Sequence, residues 1–235
     1  MSQPRHGFRA GLDSVLLGAA VAPGSPWLLD LGCGVGTAGL VAMSHWPDMV
    51  ATLADRDEDI LALTRDNAAA NGFSARTTVL AVDVTAKGAE RHAAGLAENA
   101  YASVIANPPF YDAGAGTLAG EPGRAGARHM DPATLDLWIK TAAGCATPGG
   151  EVIFVYPVES LSPLLAGFTQ RFGAVTVLPL TPRPGQAVTR VLVRAIKGSR
   201  APLTMLASRA LHGDEGRGFL PEFDAIFRGE ARLVW

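Results

Sequence analysis

The fold class of this chain is indicated most clearly by residues 27–36, Trp27-Leu28-Leu29-Asp30-Leu31-Gly32-Cys33-Gly34-Val35-Gly36. Residues 27–31 form a short apolar run, which is typical of a buried strand. The three glycines of the next five residues (32–36, the glycine loop) let the backbone approach a ligand closely. Helical spacing resumes at Thr37, and the first turn of a helix presents N–H donors to whatever the loop binds. The stretch therefore predicts a strand, loop and helix of a nucleotide-binding α/β domain.

The glycine loop does not by itself identify the ligand. Residues 34–39 also satisfy the G-x-G-x-x-G pattern of dinucleotide-binding proteins. Asp55 follows at about the distance of an acid that binds a ribose. At this point NAD binding, or a turn that binds nothing, is still an open alternative.

Strand and helix patterns alternate along most of the chain. This alternation predicts parallel strands joined by right-handed crossovers. The last two strands are separated only by a turn at 182–185, so we expect that pair to be antiparallel. The prediction is an α/β, Rossmann-like, doubly wound sheet of seven strands with a terminal antiparallel hairpin. We expect one domain over 1–235, with a helical segment at 1–26, the core at 27–196 and a tail at 197–235.

Aspartates stand at the ends of the first three predicted strands, as Asp30, Asp55 and Asp83. The carboxyl ends of parallel strands face one crevice, where ligands of open α/β sheets bind. Asp55 is suited to accept hydrogen bonds from ribose hydroxyls, and Asp83 from the amino group of an adenine. Asp57 competes with Asp55 for the ribose, but its position before a helix favours a capping role.

The fourth strand ends in Asn107-Pro108-Pro109-Phe110, the segment that indicates the chemistry (the Asn-Pro-Pro-Phe corner). Two consecutive prolines hold the backbone rigid and remove two N–H donors. The Asn107 side-chain carbonyl and the Pro108 carbonyl are then available to accept hydrogen bonds from a planar amino group. Two such bonds favour a pyramidal nitrogen whose lone pair can attack a methyl donor, without a strong base. Phe110 offers a face on which a base can stack.

The glycine loop and the Asn-Pro-Pro-Phe corner together resemble the class I amino methyltransferases. The segment Gly7-Phe8-Arg9-Ala10-Gly11-Leu12-Asp13-Ser14-Val15-Leu16-Leu17 is similar to that of bacterial enzymes that methylate adenine N6 beside the anticodon of tRNA(Val). The resemblance runs from about residue 7 to residue 180. It implies the seven-stranded Rossmann-like methyltransferase fold, S-adenosylmethionine as the cofactor and RNA, in the form of tRNA, as the partner.

The resemblance also implies roles for particular residues. The catalytic set is the Asn-Pro-Pro-Phe corner itself: Asn107, Pro108, Pro109 and Phe110. The predicted cofactor site consists of Gly11, Asp13, Ser14, Asp30, Gly32, Gly34, Gly36, Asp55, Arg56, Asp83, Val84 and Asn107. Apart from the resemblance, the long loop at 111–130 carries Arg124, Arg128 and His129 beside the corner. We expect these three residues to contact substrate alongside Phe110, and the alternative is a mobile loop without that role.

Charge and composition narrow the function classes. The net charge is −2, and the two cysteines have no metal-ligand spacing, so we expect neither a metal site nor a disulfide. No apolar run reaches the length of a membrane span, and residues 1–11 lack the apolar segment of a secretory signal, which favours a cytoplasmic enzyme. The segment from 160 to 213 contains no acid. Its seven basic residues either meet phosphates or are neutralised by acids from elsewhere in the fold; they are Arg171, Arg183, Arg190, Arg194, Lys197, Arg200 and Arg209.

Two other functions compete with RNA methylation. A glutamine N5-methyltransferase acting on a protein would use the same Asn-Pro-Pro-aromatic corner. A Rossmann protein that binds nucleotides without methyl transfer would explain the glycine loop but leave the corner without a role. The sequence predicts nothing about the oligomeric state.

Overall fold

The computed structural model describes residues 1–3, 11–110 and 130–235. The helices are α1 (Leu12–Ala19), α2 (Thr37–His45), α3 (Glu58–Ala70), α4 (Gly88–Ala93), α5 (Pro132–Cys145), α6 (Leu161–Arg171) and α7 (Pro221–Phe227). The strands are β1 (Trp27–Leu31), β2 (Val50–Asp55), β3 (Thr77–Ala81), β4 (Tyr101–Ala106), β5 (Ala146–Pro157), β6 (Phe172–Thr181), β7 (Arg190–Lys197), β8 (Thr204–Met205) and β9 (Arg209–Ala210). Among these residues no helix is both long and apolar enough to cross a bilayer.

The strands form one sheet in the order β3-β2-β1-β4-β5-β7-β6-β8, and β9 pairs with β6. Strands β1 to β5 pair in parallel, whereas β7 is antiparallel to both β5 and β6. The predicted Rossmann-like sheet and its antiparallel hairpin are confirmed. The sequence patterns did not reveal β8 and β9, which add two residues each to the outer edge of β6 in the parallel sense.

The sheet separates two apolar cores, because neighbouring residues of a strand point to opposite faces. In β4, Val104 belongs to the core under α5 and α6, and the next residue, Ile105, belongs to the core under α1, α2, α3 and α7. Phe154 and Ile153 of β5 divide in the same way. This arrangement is the doubly wound layering that the alternating patterns predicted.

The tail after β7 packs into the core under α1, α2 and α3. Phe223 and Ile226 of α7 are fully buried there. The backbone N–H of Leu233 donates to the Ala19 carbonyl at 2.9 Å, and the Trp235 indole N–H donates to the Ala20 carbonyl, also at 2.9 Å. The chain's last residues therefore hold the end of α1 in place.

Close packing of α1 on α2 depends on Gly18. A Cβ at this position would lie 2.3 Å from the Ala38 carbonyl oxygen and 2.9 Å from the Val41 Cβ. We expect Gly18→Ala to lower the free energy of unfolding by about 1–3 kcal/mol, because the two helices must move apart. Urea denaturation followed by circular dichroism measures the change. Gly144→Ala in α5 is the matched control, since a Cβ there meets no atom within 4 Å and alanine is the better helix former. An equal loss of stability in both variants would show that Gly18 is not a packing constraint.

Candidate active site

The glycine loop lies at the carboxyl end of β1 and is held from several sides. Gly32 has φ +65°, and a Cβ there would lie 2.4 Å from the Trp138 ring, so both its conformation and its surroundings require glycine. A Cβ at Gly34, by contrast, would meet no described atom within 4 Å. The Thr64 hydroxyl donates to the Gly34 carbonyl at 2.7 Å, which fixes the loop against α3. The loop is thus packed against Trp138 and Thr64, and no described atom covers it at Gly34.

Asp55 fixes the same loop from the end of β2. Its Oδ2 accepts the Gly34 N–H at 2.9 Å, and its Oδ1 accepts the Asp57 N–H at 3.1 Å. Each carboxylate oxygen retains a second lone pair, so these bonds leave Asp55 able to accept from ribose hydroxyls. Asp57 caps α3 by accepting from the N–H groups of Asp59 and Ile60, and the predicted capping role is confirmed.

Asp83 follows β3 and is half-buried at the same edge of the sheet. Its Oδ1 accepts from both the Thr85 N–H (2.8 Å) and the Thr85 hydroxyl (2.7 Å). Burial opposes ionisation, but these two bonds and the nearby positive charge of Arg56 outweigh it and lower the pKa of Asp83. The carboxylate is therefore held ionised as an acceptor. The adjacent Val84 side chain is buried in the core instead.

Asp30 lies inside the protein rather than at the surface of the crevice. It is 2% exposed, and its Oδ2 accepts the Gly39 N–H of α2 at 2.9 Å. Burial raises the pKa of Asp30 to about 7; the bond from Gly39 acts against this rise, and the charge of Asp55 adds to it. In this position Asp30 holds α2 in place behind the glycine loop.

The Asn-Pro-Pro-Phe corner follows β4, beside the glycine loop. The Asn107 amide donates to the Ser14 hydroxyl of α1 at 3.3 Å, and Ser14 itself is buried. The Asn107 Oδ1 atom is also buried, yet it accepts no hydrogen bond from any described residue. A buried acceptor without a donor costs about 1–3 kcal/mol, so this atom is suited to a donor that arrives with a ligand.

Phe110 is held by residues of two other strands. Its ring meets that of Tyr156 edge-on at 5.4 Å, and the guanidinium of Arg190 lies over it at 5.1 Å. The Tyr156 hydroxyl donates to the Pro109 carbonyl at 3.4 Å, which fixes the corner itself. The Arg190 Nε in turn donates to Asp13 Oδ2 at 2.9 Å.

Sequence reasoning missed Tyr156, Arg190 and Thr64 as residues of this site. Tyr156 lies near the carboxyl end of β5, and the crevice was expected at the carboxyl ends of the parallel strands. Arg190 pairs across the sheet with Pro157, because β7 runs antiparallel to β5 and therefore begins where β5 ends. The predicted hairpin paired β7 with β6, and the structure added the pairing of β7 with β5. Thr64 had no such signal.

The structure brings together most of the predicted site residues. The carboxyl edge of β1 to β4 carries the glycine loop, Asp55, Asp83 and the corner, with Ser14 bonded to Asn107. Gly11 is exposed at the start of α1. The substrate contacts expected from Arg124, Arg128 and His129 lie outside the described residues.

Comparisons with known proteins agree with this geometry. The sequence profile of the methyltransferase small domain family matches residues 14–181. Over 216 residues the chain is 30% identical to a tRNA1(Val) (adenine(37)-N6)-methyltransferase of Shewanella amazonensis, covering 88% of this chain and 86% of that protein. The protein of the same description from Dickeya chrysanthemi is 26% identical and covers 97% and 89%.

Solved structures give the same result for the fold. A predicted O-methyltransferase of Agrobacterium tumefaciens superposes with a TM-score of 0.80 at 30% identity, over 94% of this chain and 98% of that one. TrmN of Thermus thermophilus superposes with a TM-score of 0.51 at 23% identity, over 79% and 48%.

The buried carboxyl of Asp30 predicts a specific pH dependence of stability. Its folded-state pKa of about 7 exceeds its ordinary value of 3.8, so the folded protein keeps a proton that the unfolded chain has lost. Ionisation therefore destabilises the fold increasingly as the pH rises from about 4 to about 7, and by a constant amount above that range. Asp30→Asn keeps an acceptor for the Gly39 N–H without the charge. We expect the Tm difference, variant minus natural protein, to increase over this pH range and to stay constant above it.

Thermal unfolding from pH 4 to pH 9 measures the difference, and the exposed substitution Asp48→Asn controls for the loss of one carboxylate. A Tm difference for Asp30→Asn that does not change with pH would contradict the assignment.

Proposed function

The chain belongs to the methyltransferase small domain family and is an S-adenosylmethionine-dependent methyltransferase, and from this premise we propose that it methylates the exocyclic N6 of an adenine in RNA, specifically in tRNA. The observation that carries the proposal is the buried Oδ1 of Asn107, an acceptor that no described residue supplies with a donor. An N6 amino group has two N–H donors, and one of them would give this oxygen the hydrogen bond that no described residue provides. Curated relatives named as tRNA adenine N6-methyltransferases, which match over most of this chain, support the choice of acceptor.

The residues of the crevice fit S-adenosylmethionine. The Gly34 backbone leaves room for close approach, Asp55 would accept from the ribose hydroxyls, and the ionised Asp83 would accept from the adenine amino group. When bound, the cofactor supplies a methyl group on a positively charged sulfur. Its remaining predicted contacts are Gly11, Asp13, Ser14, Asp30, Gly32, Gly36, Arg56, Val84 and Asn107. Of these, Asp30 and Val84 have side chains that point into the interior, so we assign them to shaping the loop and the strand end.

The Asn-Pro-Pro-Phe corner would activate the acceptor nitrogen. The lone pair of an adenine amino group is delocalised into the ring, which makes it a poor nucleophile. Asn107 Oδ1 and the Pro108 carbonyl would each accept one N6 hydrogen, and this favours a pyramidal nitrogen with its lone pair free. Because the acceptors are fixed in advance by two prolines and by the Asn107–Ser14 bond, little reorganisation is needed during the reaction.

Phe110 would hold the base during transfer. An adenine must leave its stack to reach such a corner, and unstacked bases in RNA are commonly held on aromatic rings. Phe110 is half-buried, so part of its ring is accessible. A loop adenine in a folded RNA meets these requirements better than a base paired within a duplex.

The proposal is tested by labelled methyl transfer to three separate acceptors: total RNA, genomic DNA and a protein extract. We expect label in the tRNA fraction, recovered as N6-methyladenosine after digestion to nucleosides. Label in glutamine would establish the protein methyltransferase alternative instead. Recovery of ribose-methylated nucleosides would indicate that a hydroxyl is the acceptor, as the description of the Agrobacterium relative suggests for that protein.

Removal of the Asn107 amide gives a sharper test of the mechanism. We expect Asn107→Ala to lower kcat by about 100-fold to 1,000-fold, the usual cost of losing one preorganised electrostatic contact. The Kd for S-adenosylmethionine, measured by calorimetry, should change little because Asp55, Asp83 and the glycine loop are intact. Asn71→Ala, at the far end of α3, is the matched control and should retain full activity. Substantial turnover by Asn107→Ala would remove Asn107 from the catalytic role.

A further inference from the structure

Arg190 is fixed at three points beside the corner. Its Nε donates to Asp13 Oδ2 at 2.9 Å, its Nη1 donates to the Thr189 carbonyl at 3.0 Å, and its guanidinium lies over the Phe110 ring at 5.1 Å. A planar group bonded through two different nitrogens cannot turn freely about its own axis. The orientation of the guanidinium plane, and with it the surface offered to Phe110, is therefore set by β7 and α1.

The same ion pair is connected to the catalytic amide. Asp13 and Ser14 are neighbours on α1, and the Ser14 hydroxyl accepts from the Asn107 amide at 3.3 Å. Arg190 therefore contacts the Phe110 ring, and its partner Asp13 directly precedes Ser14, which is bonded to Asn107.

We infer that Arg190 is a positioning residue that holds the Phe110 ring in the orientation required by the target base. The inference rests on the proposed function, since it assigns to Phe110 the task of stacking that base. Arg190 acts through Phe110 and touches no reacting atom. Its charge is already matched by Asp13, so it is not counted among the residues free to bind a phosphate.

A purely stabilising role does not account for this arrangement. The side chains of Arg190 and Asp13 are 33% and 23% exposed, and partly exposed ion pairs contribute little to folding. Val191, Leu192 and Val193 of β7 are buried, and the strand pairs with β5 on one side and β6 on the other. The position of β7 is therefore already fixed without Arg190. The Arg190 guanidinium lies over a ring that is only half-buried, so this contact adds little to the packing of either core.

The test compares Arg190→Met with the natural enzyme on the tRNA fraction. Because a ring that can turn presents the base in many unproductive orientations, we expect kcat to fall by about ten-fold to a hundred-fold. Of the predicted cofactor residues, Asp13 is the one bonded to Arg190, and the glycine loop, Asp55 and Asp83 keep their own hydrogen bonds, so the Kd for S-adenosylmethionine should change much less than kcat. The Tm should stay within about 4 °C of the natural value, as expected for a partly exposed pair. Lys197→Met, which removes a cation from the opposite end of β7, is the matched control and should keep full activity.

A double-mutant cycle separates positioning from general damage. If Arg190 acts through Phe110, then Arg190→Met should have little further effect on kcat in a Phe110→Leu background. Losses that multiply would show that the two residues act independently, and this would overturn the inference. Arg190→Lys keeps a charge for Asp13 without the planar group, so its kcat should lie between those of Arg190→Met and the natural enzyme.

The two proposals fail in different ways. A natural enzyme that leaves every RNA unmethylated overturns the proposed function. A natural enzyme that methylates RNA, with Arg190→Met showing the same kcat and KM, overturns only the assignment of Arg190.

Discussion

The parallel pairing of β1 with β4 sets Leu31 beside Ala106, and the residues that follow these two are Gly32 and Asn107. This register brings the glycine loop, the proposed cofactor-binding segment, next to the corner that we propose receives an amino group. A shift by one residue would turn every β1 side chain to the opposite core and would take the buried Asp30 carboxylate away from the Gly39 N–H of α2, so this contact favours the observed register. The other contacts of the site orient side chains of these two segments, which the sheet already holds next to each other.

The charges of the site are arranged around that adjacency. Asp83 is held ionised at the rim by Thr85 and Arg56, whereas Asp30, buried behind the loop, has its pKa raised to about 7. Two acids at equivalent strand ends thus differ because one is surrounded by donors and the other by apolar side chains. The rim acid is suited to contact a ligand, and the buried one to hold α2 in place.

The basic segment after residue 160 shows how spatial contacts change the meaning of a sequence pattern. Its isolation from acids suggested a phosphate-binding surface or neutralisation from elsewhere. Four of its arginines are in fact paired with acids distant in sequence. These pairs are Arg171 with Asp136, Arg190 with Asp13, Arg194 with Glu151, and Arg209 with Glu222. Much of the segment is therefore neutralised within the fold, and one of its pairs lies beside the corner.

Local patterns sufficed for the alternating strands and helices, the helix cap at Asp57, and the presence of a glycine loop and a proline corner along the chain. Those features follow from side-chain periodicity, capping chemistry and backbone restriction, each of which acts over a few residues. Three features came from the tertiary structure alone: Asp30 is interior, Arg190 lies over Phe110, and no described residue donates to the buried Asn107 Oδ1. Burial and pairing between distant segments depend on which strands become neighbours, and local sequence patterns do not specify this.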